Sequence, residues 1–254
     1  MEVFSFIFGI CIGSFLNVLI LRLPLNQSLL TRSTCPKCNH LIYWYHNIPL
    51  LSYIFLKTKC SYCRAKISFT YFLVELLSGI ITLALFLKLG FTLDFVFMCL
   101  LSYVLITLSF IDLKYKAVPD YLLLIALVLS FFASNFSIIE TFKNAFLFSG
   151  AFVLLNFVIT FYIQNIKSRI LKDENLKNQV ALGEGDIPVI ASMAVILGLN
   201  SLVYAILLSA IIAILHTISI NIVKKDIQIP FIPSLVLGFF IEYFFNLEHF
   251  IKAF

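Results

Sequence analysis

The chain has 254 residues, of which 61% are hydrophobic and 12% are charged. Soluble domains contain roughly 45–50% apolar and about 25% charged residues, so this composition excludes an ordinary soluble globular protein. It indicates a polytopic membrane protein, and the net charge of +5 has to be explained on that basis.

Apolar segments recur along the chain at the length needed to cross a hydrocarbon core of about 30 Å, roughly 17–25 residues each. The first opens with Glu2 and lacks both a basic n-region and a small-residue cleavage site, so we expect a span and not a secretory signal. The segment 187–199 is short and its border with the next is not sharp, so a seven-span fold is the alternative. The pattern predicts an all-α fold with about eight transmembrane helices, near residues 1–21, 69–89, 93–111, 120–138, 143–163, 187–199, 200–222 and 228–247.

Basic residues concentrate between the first two predicted spans. The stretch 22–68 holds seven lysines and arginines and no acidic residue, which predicts a cytoplasmic loop. Threading eight spans alternately places 15 of the 18 basic residues on this same side, whereas removing one span would reverse the later loops. The distribution favours eight spans with both termini outside, and it explains the net charge without a nucleic-acid partner.

Four cysteines in this loop form two C-x-x-C pairs, Cys35 with Cys38 and Cys60 with Cys63, separated by 21 residues. Two such pairs are the usual way to build a tetrahedral four-thiolate zinc site. Two disulfides are the alternative, but they require an oxidising compartment, and the loop is predicted to be cytoplasmic. We therefore expect a structural zinc ion, because four thiolates leave no open coordination position for water.

Carboxylates at a membrane rim are costly, and two stretches concentrate them on the predicted cytoplasmic side. The first carries Asp112 and Asp120, and the second, ALGEGDIP, carries Glu184 and Asp186. Two carboxylates close together share a proton, so that one can act as a base and the other as an acid, as in aspartic proteolysis. Gly183 and Gly185 would let the backbone turn tightly beside a substrate strand.

Structural, non-catalytic roles are the alternative for these acids. Helix-end carboxylates often cap helices or pair with lysines, and Asp120, directly after Pro119, has the position of an N-cap. Glu184 is expected to be a solvated neighbour of Asp186. Glu75 lies within a predicted span, and its role is not decided by the pattern.

The chain resembles the type IV prepilin peptidases, bifunctional leader peptidase and N-methyltransferase enzymes that process pilins and type II secretion pseudopilins. The resemblance runs almost end to end in seven ordered blocks. These are GSFLNVLILRLP at 13–24, RSTCPKCNHLIYWYHNIPLLSY at 32–53, CSYCRAKIS at 60–68, YFLVELLSG at 71–79, IDLKYKAVPD at 111–120, GEGD at 183–186 and IPFIPSLVLG at 229–238.

The resemblance implies catalytic roles for Asp112 and Asp186, the latter within the G-x-G-D signature of membrane aspartyl proteases. It also implies a zinc-type tetracysteine and S-adenosylmethionine as methyl donor, associated with residues 1–90, next to a peptidase core over 91–254. The expected partners are prepilin or pseudopilin precursors and the lipid bilayer of the bacterial inner membrane. One departure is Pro188, which stands where the family commonly has a lysine two residues after the signature aspartate.

Other functions fit parts of the pattern. A peptidase without methyltransferase activity would keep the cysteine loop only as a clamp. A proton- or cation-coupled transporter would use Asp112, Asp186 and Glu75 along a path, but no internal repeat supports related halves. A non-enzymatic scaffold gives no reason for acids clustered on one face.

Overall fold

The structure is a computed structural model that describes residues 1–171, 183–221 and 230–248. The chain divides into two compact units, Met1–Ile111 and Asp112–Phe254. In the described ranges the only β-type contacts are two isolated bridges, so the all-helical prediction is confirmed.

The first unit is built on two long apolar helices, α1 (Glu2–Arg22) and α3 (Phe69–Leu89), which pack against each other. Small residues permit this packing. A Cβ atom added to Gly13 would lie 2.7 Å from the Cα of Glu75, and one added to Gly9 would lie 2.7 Å from the carbonyl oxygen of Ser78. Close approach through glycines is typical of membrane helix pairs, where van der Waals packing drives association.

The segment between α1 and α3 carries short elements. They are a 3₁₀ turn at Leu23–Leu25, a second at Trp44–Asn47 and the five-residue helix α2 (Leu51–Phe55). The helix α4 (Leu93–Tyr115) follows α3 after a short turn and contains the residues at which the two units are divided.

The second unit contains the helices α5 (Asp120–Ala133), α6 (Ile138–Phe161), α7 (Ser168–Leu171), α8 (Asp186–Asn221) and α9 (Ile232–Phe245). A π-helical turn, Tyr162–Lys167, joins α6 to α7. The helix α8 packs against α5, α6 and α9, so it forms the centre of this unit. Gly198, with φ of 75°, interrupts α8 close to the predicted border between residues 199 and 200.

Five of the described helices are long and apolar enough to cross a membrane: α1, α3, α4, α6 with its extension, and α8. The helices α5 and α9 are equally apolar but have only 14 residues each. Gly198 divides α8 into two apolar parts. Together with α1, α3, α4, α5, α6 and α9, these parts make eight apolar helical segments in the described ranges. The number of spans itself stays a prediction.

The predicted border between the fourth and fifth segments is wrong. Residues 134–137, expected inside the fourth span, form a connection, and α6 begins at Ile138 instead of residue 143. Ser137 caps α6 by accepting a hydrogen bond from the backbone N–H of Glu140, and Ser134 donates one to the carbonyl of Val195. Ser134 follows the last residue of α5 and Ser137 caps α6, and neither serine changes the hydropathy enough to mark the border, which explains the error.

Candidate active site and metal centre

The second unit brings together the two aspartates singled out from the sequence. Asp112 is 8% exposed near the end of α4, and Asp186 is 6% exposed as the first residue of α8. Ile232, whose backbone N–H binds Asp112, also has its side chain beside Gly185, the residue before Asp186, so the two carboxyl groups belong to one site. Two buried carboxylates in this relation are the arrangement that shares a proton.

Each carboxylate is oriented by one backbone N–H group. The Oδ2 of Asp112 accepts a hydrogen bond from Ile232, the first residue of α9, at 3.2 Å. The Oδ2 of Asp186 accepts one from Gly183, also at 3.2 Å. In both residues the atom that accepts this hydrogen bond is Oδ2.

The glycine turn before Asp186 is tightly packed at one position. A Cβ atom added to Gly185 would lie 2.7 Å from Cγ2 of Val118 and 3.7 Å from Cδ1 of Ile232. Ile232 therefore contacts the turn with its side chain and binds Asp112 with its backbone. This residue lies in the IPFIPSLVLG block, and its backbone contact was not foreseen, because no side-chain chemistry marks it.

The other acidic candidates near this turn lie outside the pair. Glu184 is exposed, as expected for a solvated neighbour. Asp120 is also exposed, and the interpretation of it as an N-cap is wrong. Pro119 occupies the N-cap position, and Asp120 is the first residue of α5. The negative charge of Asp120 interacts favourably there with the helix dipole.

Pro188 occupies the first turn of α8, two residues after Asp186. Proline is tolerated there because the first N–H groups of a helix have no partner within it. Its carbonyl accepts a hydrogen bond from the hydroxyl of Ser192 at 2.9 Å. Pro188 is therefore compatible with the start of α8.

The first unit brings all four cysteines of the two C-x-x-C pairs together. Their sulfur atoms lie within 4.8 Å of one another, and the Sγ atoms of Cys35 and Cys63 are 3.9 Å apart. A tetrahedral site with Zn–S bonds of about 2.3 Å requires sulfurs roughly 3.8 Å apart, so the donor set fits a metal ion. All four are free thiols.

The two cysteine pairs repeat one backbone pattern. The N–H of Asn39 binds the carbonyl of Cys35 at 2.8 Å, and the N–H of Arg64 binds the carbonyl of Cys60 at 3.1 Å. Asn39 and Arg64 both have positive φ, 54° and 57°, directly after the second cysteine of each pair. Each turn thus directs two thiols toward one point.

The electrostatics of the cluster differ between its thiols. Backbone N–H groups of Cys63 and Tyr62 lower the pKa of the Cys60 thiol to about 7. The N–H of His40 lowers the pKa of Cys38, but desolvation by neighbouring atoms and the thiols of Cys63 and Cys35 outweigh it and raise the pKa to about 11. A metal ion bound by the four thiolates would replace these protons and, with them, the S–H···S hydrogen bonds.

Glu75, whose role the sequence left open, binds the loop between α1 and α3. It is buried in α3, and its Oε2 accepts a hydrogen bond of 2.7 Å from the backbone N–H of Leu50. Leu50 has an unusual φ of 59° for a branched residue and precedes α2. Glu75 thus has a local partner, which accounts for a buried acid without an ion path.

A second charged residue organises the start of the same segment. The guanidinium of Arg22, at the end of α1, donates hydrogen bonds to the carbonyls of Ser28, Leu29, Thr31 and Arg32. In the sequence, Arg22 counts only as one of the seven basic residues of the stretch 22–68. The five N–H donors of a guanidinium can bind several backbone carbonyls of one turn at once. The positions of the basic residues in the sequence do not reveal this role.

Comparison with known proteins adds family information to this geometry. Residues 7–89 match a family described as the bacterial peptidase A24 N-terminal domain, and residues 99–218 match the type IV leader peptidase family. No solved structure matches the chain at a significant level.

Curated relatives share the name prepilin leader peptidase/N-methyltransferase. The chain is 32% identical to the Vibrio cholerae protein over 94% of both chains, and 30% identical to that of Pseudomonas aeruginosa over 92% of this chain and 87% of the relative. A shorter match to the Myxococcus xanthus protein reaches 47% identity over 46% of this chain and 35% of the relative.

Proposed function

Because the chain belongs to the type IV leader peptidase family, we propose that it removes the leader peptide of type IV prepilins or pseudopilins and methylates the new N-terminus. The observation that best supports the peptidase half is the pair of buried aspartates, Asp112 and Asp186, each oriented by one backbone N–H. The family membership agrees with the resemblance seen in the sequence.

In the proposed cleavage, a water molecule attacks the carbonyl carbon of the scissile peptide bond. One carboxylate of the pair takes the water proton, and the other, protonated at the start, gives its proton to the departing amide nitrogen. The C–N bond breaks, which leaves a carboxylate on the leader and an amine on the mature pilin. No covalent acyl-enzyme is formed, because neither aspartate attacks the carbonyl.

The position of the pair supports a substrate that is cut at the membrane rim. Asp112 lies three residues before Tyr115, where α4 ends, and Asp186 begins α8. By the charge rule both ends are on the cytoplasmic side of the inner membrane. A precursor whose basic leader lies in the cytoplasm and whose apolar helix lies in the bilayer would present its scissile bond at this height.

We assign the tetracysteine cluster a structural zinc ion held by Cys35, Cys38, Cys60 and Cys63. A fully coordinated ion would cross-link the two cysteine turns and supply no reactive water. S-adenosylmethionine would supply the methyl group for transfer to the new amine. In the described ranges no β-strand precedes a glycine-rich loop, so the methyltransferase half rests on family membership and on no assigned donor pocket.

The proposal is tested with the purified chain in liposomes and a prepilin substrate, followed by mass spectrometry of the product. We expect a mature pilin with a free N-terminus, and a further mass increase of one methylene group only when S-adenosylmethionine is added. Cleavage without that increase would overturn the methyltransferase half. An uncleaved precursor would overturn both halves.

A further inference from the structure

The short helix α2, in the loop between α1 and α3, presents one apolar face outward. Leu51, Ile54 and Phe55 of α2 have the i, i+3, i+4 spacing of a single helix face. Their side chains are 51%, 61% and 78% exposed. We call these three residues the α2 face. Between them, Tyr53 points the other way and packs its ring 5.3 Å from that of Phe72 in α3.

The position of α2 along α3 gives its depth. Leu50, which precedes α2, is hydrogen-bonded through its N–H to Glu75, six residues beyond Phe69, where α3 begins. At a rise of 1.5 Å per residue, Glu75 lies about 9 Å inside the start of α3. Since α3 is long and apolar enough to cross a membrane, α2 begins beside the first turns of a spanning helix.

Positive charge flanks the α2 face. Lys57 and Lys59 follow α2 directly and are exposed, and the stretch 22–68 contains no acidic residue. Trp44, in the 3₁₀ turn that contacts α2, is 76% exposed. Lysines attract anionic headgroups, and tryptophan prefers the membrane interface, so the surroundings are complementary to an anionic leaflet.

We propose that the α2 face is a membrane-docking surface that inserts into an anionic lipid leaflet at the boundary between headgroups and acyl chains. Interfacial helices bury their apolar face about 5–10 Å into this boundary, which matches the depth set by Glu75. Lys57 and Lys59 then lie at headgroup level. Docking holds the tetracysteine cluster close to the bilayer surface, and it does not depend on which reaction the protein catalyses.

The test uses the fact that the chain has a single tryptophan. In a Trp44→Phe background, Phe55→Trp places the reporter on the α2 face, and Lys37→Trp places a matched reporter on an exposed position between two cysteines. Both full-length variants are reconstituted in liposomes that contain phosphatidylglycerol and lipids brominated in the upper acyl chain. Equal metal content in the two variants is the control for folding.

We expect the tryptophan at position 55 to emit at shorter wavelength and to be quenched by brominated lipid several-fold more than the tryptophan at position 37. Equal quenching of the two reporters would overturn the proposal. The proposal would also be overturned if added prepilin, and not lipid, protected the tryptophan at position 55 from quenching by aqueous iodide. The α2 face would then bind the protein substrate.

The charge component has its own test. Replacing phosphatidylglycerol by phosphatidylcholine, or introducing Lys57→Gln with Lys59→Gln, should reduce quenching at position 55, and high salt should act in the same direction. Quenching that is unchanged by all three would contradict attraction to anionic lipid.

Discussion

At the scale of single residues, the turn before Asp186 requires a residue without a side chain at Gly185. A Cβ atom at position 185 would come within 2.7 Å of Val118, so Gly185→Ala must displace either Val118 or the turn. We expect a loss of about 1–3 kcal/mol in the free energy of unfolding, as for other overpacked sites, and a matching loss of prepilin cleavage.

The same contact supplies the control for this prediction. Val118→Ala removes the atom that would clash, so the double variant Gly185→Ala/Val118→Ala should recover stability and cleavage relative to Gly185→Ala. Thermal unfolding in detergent and a gel-based cleavage assay measure both. A double variant no better than Gly185→Ala would show that the alanine acts on backbone conformation and not on packing.

Glu75 is a second residue whose role can be tested singly. Glu75→Leu would leave the partly buried N–H of Leu50 without its acceptor, at a cost of about 1 kcal/mol, whereas Glu75→Gln keeps an acceptor oxygen. We expect faster amide hydrogen exchange over residues 48–56 in Glu75→Leu than in Glu75→Gln. Exchange that is unchanged in both variants would contradict this hydrogen bond.

At the scale of helices, the α1–α3 pair depends on small residues. Gly13→Ala would push a methyl group toward the backbone of Glu75, so we expect it to destabilise the pair by about 1–3 kcal/mol. Gly150→Ala is the matched control, because a Cβ atom there meets nothing within 4 Å. Thermal unfolding should separate the two variants, and equal midpoints would argue against close packing at Gly13.

The helices also show how far the sequence carries the fold. Apolar runs locate α1 and α3 to within a residue because the bilayer requires them to be long and continuous. The border between α5 and α6 was misplaced because it depends on Ser134 and Ser137, whose hydrogen bonds do not alter hydropathy. The break in α8 at Gly198 could be placed only approximately for the same reason.

At the scale of the whole molecule, the tetracysteine cluster predicts a defined metal content. We expect one zinc ion per chain by elemental analysis, and Cys60→Ser should abolish stable binding because it removes one of four thiolates. Cys11→Ser is the matched control, since Cys11 is exposed in α1 and outside the cluster. Equal zinc content in both variants would contradict the assignment.

The candidate site was only partly accessible from the sequence. Side chains with distinctive chemistry, the aspartates Asp112 and Asp186 and the four cysteines, were identified because acids at a membrane rim and paired thiols are rare. The backbone N–H groups of Ile232 and Leu50 were not, since any residue supplies an N–H and only the fold decides where it points. The organising contacts of both sites therefore required the structure.

The most direct test of the proposed peptidase compares two acidic residues in one turn. Asp186→Asn removes a carboxylate of the buried pair with little change in shape, and Glu184→Gln makes the equivalent change at an exposed position. Initial rates of prepilin cleavage in liposomes, with Asp112→Asn as a third variant, provide the measurement. We predict that both aspartate variants lose at least about 10²-fold in rate, as expected when an acid–base group is removed, while Glu184→Gln cleaves like the unmodified chain. Cleavage by a folded Asp112→Asn or Asp186→Asn variant at the rate of the unmodified chain would contradict the aspartyl mechanism.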